Sequence, residues 1–175
     1  MRTRSGADPR ANFGADRYRG DVYEVASRTT LTTIESYLNF TGTRTLNYVV
    51  FEGTDVTGPF NHIASQTVDR VGTGEGFYSS GPLSVLLEPG KLYIIATGWT
   101  GGNVTFYWDT TASPIDVSFG QQVDGYILDS YPIPESVGNP SISSPYYQRL
   151  TTEDTWLRSR RRRDRSHLAT SRKSP

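Results

Sequence analysis

The chain has 175 residues, no cysteine, and 18 basic against 18 acidic side chains. The missing cysteine excludes disulfide scaffolds, thiolate metal centres and cysteine nucleophiles. The length predicts one domain with a real core, and an aromatic fraction of 12% excludes a wholly disordered chain.

The zero net charge hides an asymmetry. Arg158 to Pro175 holds seven arginines and Lys173 against one acid, Asp164, leaving residues 1–157 acidic by the same margin. A segment such as Arg158-Ser-Arg-Arg-Arg-Arg163-Asp-Arg165 buries little apolar surface, so 152–175 reads as a basic disordered tail. Only through that tail is nucleic acid a candidate partner, because an acidic body disfavours polyanions. Residues 1–14 read as a flexible leader, with no apolar signal-peptide core. No run approaches a membrane helix.

Residues 15–151 read as an all-β domain. Val22–Ser27 is a first strand and Thr29–Phe40 a second. Alternation places Ile34, Ser36, Leu38 and Phe40 on one face, with Glu35, Tyr37 and Asn39 on the other. Thr43–Glu52 is a third strand, reached over Gly42. Its run Tyr48-Val-Val-Phe51 is apolar on both faces, which predicts a central strand covered from two sides. Phe60–Val71 is a fourth, with Ile63, Thr67 and Val68 as its buried contributors, and Gly72-Thr-Gly-Glu-Gly76 is a turn. Phe77–Leu87 is a fifth, interrupted at Gly81-Pro82. Glu88-Pro-Gly-Lys91 is a turn by its Pro-Gly chemistry. Leu92–Trp99 is the most apolar strand and predicted central. Gly101-Gly102 predicts a two-residue hairpin into Asn103–Asp109. Ile115–Phe119 and Tyr126–Leu128 are weaker strands, 131–140 is loop, and Tyr146–Leu150 closes the domain. Eight or nine strands at this spacing predict an antiparallel β-sandwich of jelly-roll type.

Four stretches resemble accessory modules of secreted bacterial multidomain or surface proteins. They are Tyr18-Arg-Gly-Asp-Val-Tyr-Glu-Val25 with Thr30–Phe40, then Gly76-Phe-Tyr-Ser-Ser-Gly-Pro82, then Leu87-Glu-Pro-Gly-Lys-Leu-Tyr-Ile-Ile95. The resemblance spans roughly residues 15–130 and implies a jelly-roll, carbohydrate-binding-like β-sandwich at the cell surface or outside the cell. It names no site residue.

Local motifs for catalysis are thin. His62 and His167 are the only histidines, and His62 lies in a strand without a nucleophile elbow. The glycines at 72, 74 and 76 lack the third glycine and helix of a dinucleotide loop, since Phe77 stands where that glycine belongs. Arg19-Gly20-Asp21 matches an adhesion tripeptide but abuts a strand. Asn39-Phe-Thr41 and Asn103-Val-Thr105 match glycosylation sequons and read as polar strand ends.

Flat rings near amides and carboxylates are what sugar stacking requires. Trp99, Tyr107, Trp108, Asp109, Tyr78 and Tyr126 are the ligand-binding candidates, with Asn103, Gln121 and Gln122 nearby. Hard-cation chemistry offers structural calcium as a possible cofactor, held by Asp109, Asp116, Asp124 and Asp129. The expectation is a non-catalytic extracellular binding module for carbohydrate or another cell-surface component. The alternatives are a structural spacer or assembly domain of a longer surface protein, and a hydrolase using a carboxylate pair.

Overall fold

The organising element is one long strand, β3, into which two predicted strands merge. The computed structural model describes residues 10–110, 113–129, 131–138 and 144–154. The strands are β1 Arg10–Gly14, β2 Arg17–Val25, β3 Thr29–Gly53, β4 Phe60–Ser79, β5 Val85–Leu87, β6 Leu92–Thr100, β7 Val104–Trp108, β8 Ile115–Val117, β9 Gly120–Leu128, β10 Ser136–Val137 and β11 Gln148–Asp154. All pairings are antiparallel, and no helix occurs among the described residues. Eleven strands therefore replace the eight or nine expected.

Glycines account for much of the difference. Gly42 takes φ 73° inside β3, so it bends the strand without ending it. Gly72, Gly74 and Gly76 form no turn; they run through β4 opposite Gly42, Phe40 and Leu38. A Cβ at Gly72 would overlap the Phe40 ring and carbonyl, so this glycine permits close strand approach. Of the buried contributors expected in β4, Val68 is half-buried as expected, beside Ala64 and Gln66, whereas Ile63 and Thr67 are exposed. Gly101-Gly102 joins no hairpin. β6 and β7 both pair with β3, at Thr45–Gly53 and at Leu38–Asn39. Strand pairing is already present at Arg10, the first described residue and inside the stretch expected as leader, because β1 pairs along β7. At the other end β11 extends to Asp154. The segment from Arg158 onward lies outside the described residues.

β3 carries β11, β7 and β6 in succession along one edge, and β5 then β4 along the other. Continuing outward from β6 come β2, β9 and β8. The result is one antiparallel sheet curled into an open half-barrel.

Its concave face holds the larger core, built on Leu31, Ile34, Leu38, Leu46, Tyr48, Val50, Tyr93, Ile95, Trp99 and Phe106. The convex face holds a second core of Tyr18, Val22, Val49, Phe51, Phe60, Ile94, Ala96 and Tyr126, covered by Ile133 and Val137 of the β9–β10 region. Tyr48-Val-Val-Phe51 and the Tyr93–Trp99 run are thus covered from both sides, as their apolar patterning predicts. Burying these side chains contributes roughly 2 kcal/mol each before entropy is counted. The Pro89-Gly90 turn also forms. Gly90 takes φ 76° and its N–H donates to the Val25 carbonyl at 2.8 Å.

Candidate functional site

The aromatic candidates mostly serve the core. Trp99 is fully buried and donates its indole N–H to the Gly14 carbonyl at 2.8 Å. Tyr126 is buried, and Tyr107 meets Tyr37 edge-on at 5.3 Å. Tyr78 packs on Phe40 at 4.4 Å and donates to the Gly74 carbonyl. Trp108 is half-buried beside Phe106. Alternation fails to separate core from solvent in β7 because Phe106 and Tyr107 are both buried. Trp99, Tyr107 and Tyr126 are thus buried, while Tyr78 and Trp108 are half-buried.

The four aspartates are dispersed. Asp109 is buried, and Asp116 accepts from Gln121 Nε2 at 2.9 Å. Asp124 accepts from the Gly125 N–H, and Asp129 pairs with Arg19 at 2.6 Å. Among the described residues no three His, Asp or Glu side chains gather closely enough to hold a metal ion. Arg19-Gly20-Asp21 is inside β2, with all three residues buried. Arg19 lies 4.7 Å from the Phe106 ring centre, so no receptor reaches its guanidinium and the carboxylate together. His62 packs edge-on against Phe51 on β4.

A different site emerges at the open side of the half-barrel. A cleft of about 770 Å³ lies between the β8–β9 hairpin and β11. Asp21 and Tyr23 of β2 form part of its lining, as do Asp116 to Phe119, Gln122 of β9, Glu35 of β3, Tyr146, and Gln148 to Thr152. The sheet topology brings these distant segments together. Tyr23 opposes Gln122 across the β2–β9 ladder, while Gln148 opposes Ser36 across β3–β11. Consecutive residues of β8 and β11 line the two walls, although side chains alternate along a strand. Their backbone edges therefore face the cleft. Among the described residues β8 pairs only with β9 and β11 only with β3.

The cleft contains unsatisfied amide groups. Gln122 is 3% exposed; its Nε2 donates to the Asp124 carbonyl at 2.8 Å, while its Oε1 has no partner. Both terminal atoms of Gln148 are buried without a partner. Leaving such groups dry costs about 1–3 kcal/mol each, and both glutamines line the cleft. Asp21 is engaged in the scaffold: it accepts from the Tyr146 N–H at 2.8 Å and the Tyr23 hydroxyl at 3.3 Å. Tyr146 is pushed up to about 12, chiefly by burial, with Arg19 lowering it and Asp21 and Asp129 raising it. It stays a neutral phenol across the physiological range.

Gln122 and Asp116 were within reach of sequence reasoning as an amide and a carboxylate near rings. Gln148, Glu35 and Tyr146 were not, because they join the site only through pairings that span most of the chain. No protein-family model matches the chain, and no curated protein matches its sequence.

Proposed function

We propose that the chain is a non-catalytic extracellular binding module, of jelly-roll type, that takes carbohydrate into the cleft between the β8–β9 hairpin and β11. One observation carries the reading: three buried amide atoms, Gln122 Oε1 and both ends of Gln148, stand unpartnered on residues that line a cleft of about 770 Å³. Sugar hydroxyls both donate and accept, so they can satisfy an amide at either end. Tyr23, Phe119 and Tyr146 also line the cleft, each buried in the larger core. The resemblance to surface-protein modules supports the extracellular setting.

A glycan array probed with the full chain, with and without calcium, tests this. Binding to an oligosaccharide family is expected, and Gln148→Leu should weaken it about tenfold by removing both ends of the amide. An array without any bound glycan, or binding untouched by Gln148→Leu and Gln122→Leu, overturns the reading.

A second reading, an assembly domain of a longer surface protein, is favoured by the β8 and β11 edges that face the cleft. Such edges accept an added strand. Gln122 and Gln148 side chains are dispensable for backbone pairing, so the two glutamine variants also separate these readings.

A further inference from the structure

We infer that the sugar site continues out of the cleft onto the adjoining convex face, where Tyr37, Phe77 and Tyr147 form a row of rings, so that the chain selects long glycan chains over disaccharides. This rests on the carbohydrate reading above and deepens it. The row follows from the sheet register. Tyr37 lies in the first half of β3. Phe77 of β4 opposes it on one side. On the other side its N–H donates to the carbonyl of Tyr147, the residue before β11, at 2.9 Å. Opposed residues of an antiparallel ladder share a face, so the three rings emerge on one surface. Ring centres are 4.8 Å apart for Tyr37 and Phe77 and 6.3 Å apart for Tyr37 and Tyr147. All three rings are half-buried, and none belongs to either core.

Polar groups flank the rings. The Tyr37 hydroxyl donates to Oε1 of the exposed Glu75 at 2.6 Å, and Asn39 Nδ2 donates to the Tyr107 hydroxyl at 3.5 Å. A sugar presents C–H groups to a ring and hydroxyls to such polar neighbours at once. Two residues join the row to the cleft. Glu35 and Arg149 oppose each other across β3 and β11, and both line the cleft. Glu35 shares the face of Tyr37, and the exposed Arg149 lays its guanidinium 3.7 Å from the centre of the Phe77 ring. A ligand that leaves the cleft past this pair meets the rings next. Three neighbouring strands span roughly 10 Å, more than one sugar ring covers. Only a chain of several units occupies the cleft and the row together, and each further unit binds at high effective concentration.

Calorimetric titration of the full chain provides the test, with the disaccharide and hexasaccharide of the cello, xylo and chito series as probes. In a series that binds, the hexasaccharide should bind about tenfold more tightly than the disaccharide. Tyr147→Ala and Tyr37→Ala should each erase most of that gain and leave disaccharide affinity unchanged, because both rings lie outside the cleft lining. Circular dichroism verifies the fold of each variant. Equal affinity for the two lengths, or a length preference that survives both variants, overturns the extended site while leaving a sugar cleft. A dimer in sedimentation that Tyr147→Ala dissolves assigns the face to a second copy of the chain and overturns the extension likewise. Failure of all six probes overturns the extended site, and alongside a blank glycan array it overturns the cleft as well.

Discussion

Glu52 shows how one residue at the end of a strand ties three segments together. Its carboxylate receives Lys91 Nζ at 2.6 Å and the Tyr93 hydroxyl at 2.9 Å, and Tyr93 in turn accepts the Glu88 N–H. Burial pushes Glu52 up, but the bonds from Lys91 and Tyr93 together outweigh it and hold the carboxyl below its ordinary 4.5. A depressed carboxyl contributes stability above its unfolded value, and that contribution is lost as pH falls through the folded value. Lys91→Met should therefore cost about 1 kcal/mol at neutral pH, and the gap to the parent should close once pH drops well below 4.5. Chemical denaturation across pH measures it; a gap that stays constant in acid would refute the assignment. Trp99 illustrates a limit on reading residues singly. Its ring suits sugar stacking as well as a core, and only the Gly14 carbonyl, brought across from β1, shows which use the fold makes of it.

Strands were legible where their two faces differ, or where both are apolar. The Ile34–Phe40 alternation and the Tyr48–Phe51 run each state their surroundings, because a strand's period of two is a local property. Glycines misled because the same residue serves turns, bends and close approaches. The β4 glycines separate these uses experimentally. Gly72 faces the Phe40 ring and carbonyl, whereas a Cβ at Gly76 would meet open space. Gly72→Ala should cost about 2–3 kcal/mol by overpacking. Gly76→Ala should change stability by less than about 0.5 kcal/mol. Comparable urea midpoints for the two variants would show that the glycine run acts as a flexible unit after all. The cleft was illegible for a related reason: its walls come from β8 and β11, and neither strand carries a local sign that its edge lacks a partner among the described residues.

The two cores meet through a sheet rich in tyrosine, which gives the whole molecule an alkaline limit. Burial is the leading cause that raises Tyr18, Tyr93 and Tyr146 to about 12, and it raises Tyr48 and Tyr126 further still. A phenol raised in the folded state adds stability that is complete below its ordinary value of 10.0 and disappears as pH climbs through the folded value. The melting temperature should thus hold steady up to about pH 10 and fall steeply toward pH 12. Tyrosinate absorbance should show a late-titrating group that ionises together with unfolding. If all eleven tyrosines ionise in one step near 10.0 while the fold persists, the buried phenols do not limit stability.

β3 also dictates an order of events during synthesis. It is finished by Gly53, yet the first part of one edge, Thr29–Ser36, waits for Gln148–Asp154 to emerge. For nearly a hundred residues of translation that edge has no partner of its own, and an unpaired edge is a template for joining other chains. The short β5 and long β4, both made early, lie on the opposite edge and cannot shield it. Protection in the nascent chain must come from outside the ladder, and β11, made after every other strand described, is the one that ends the exposure.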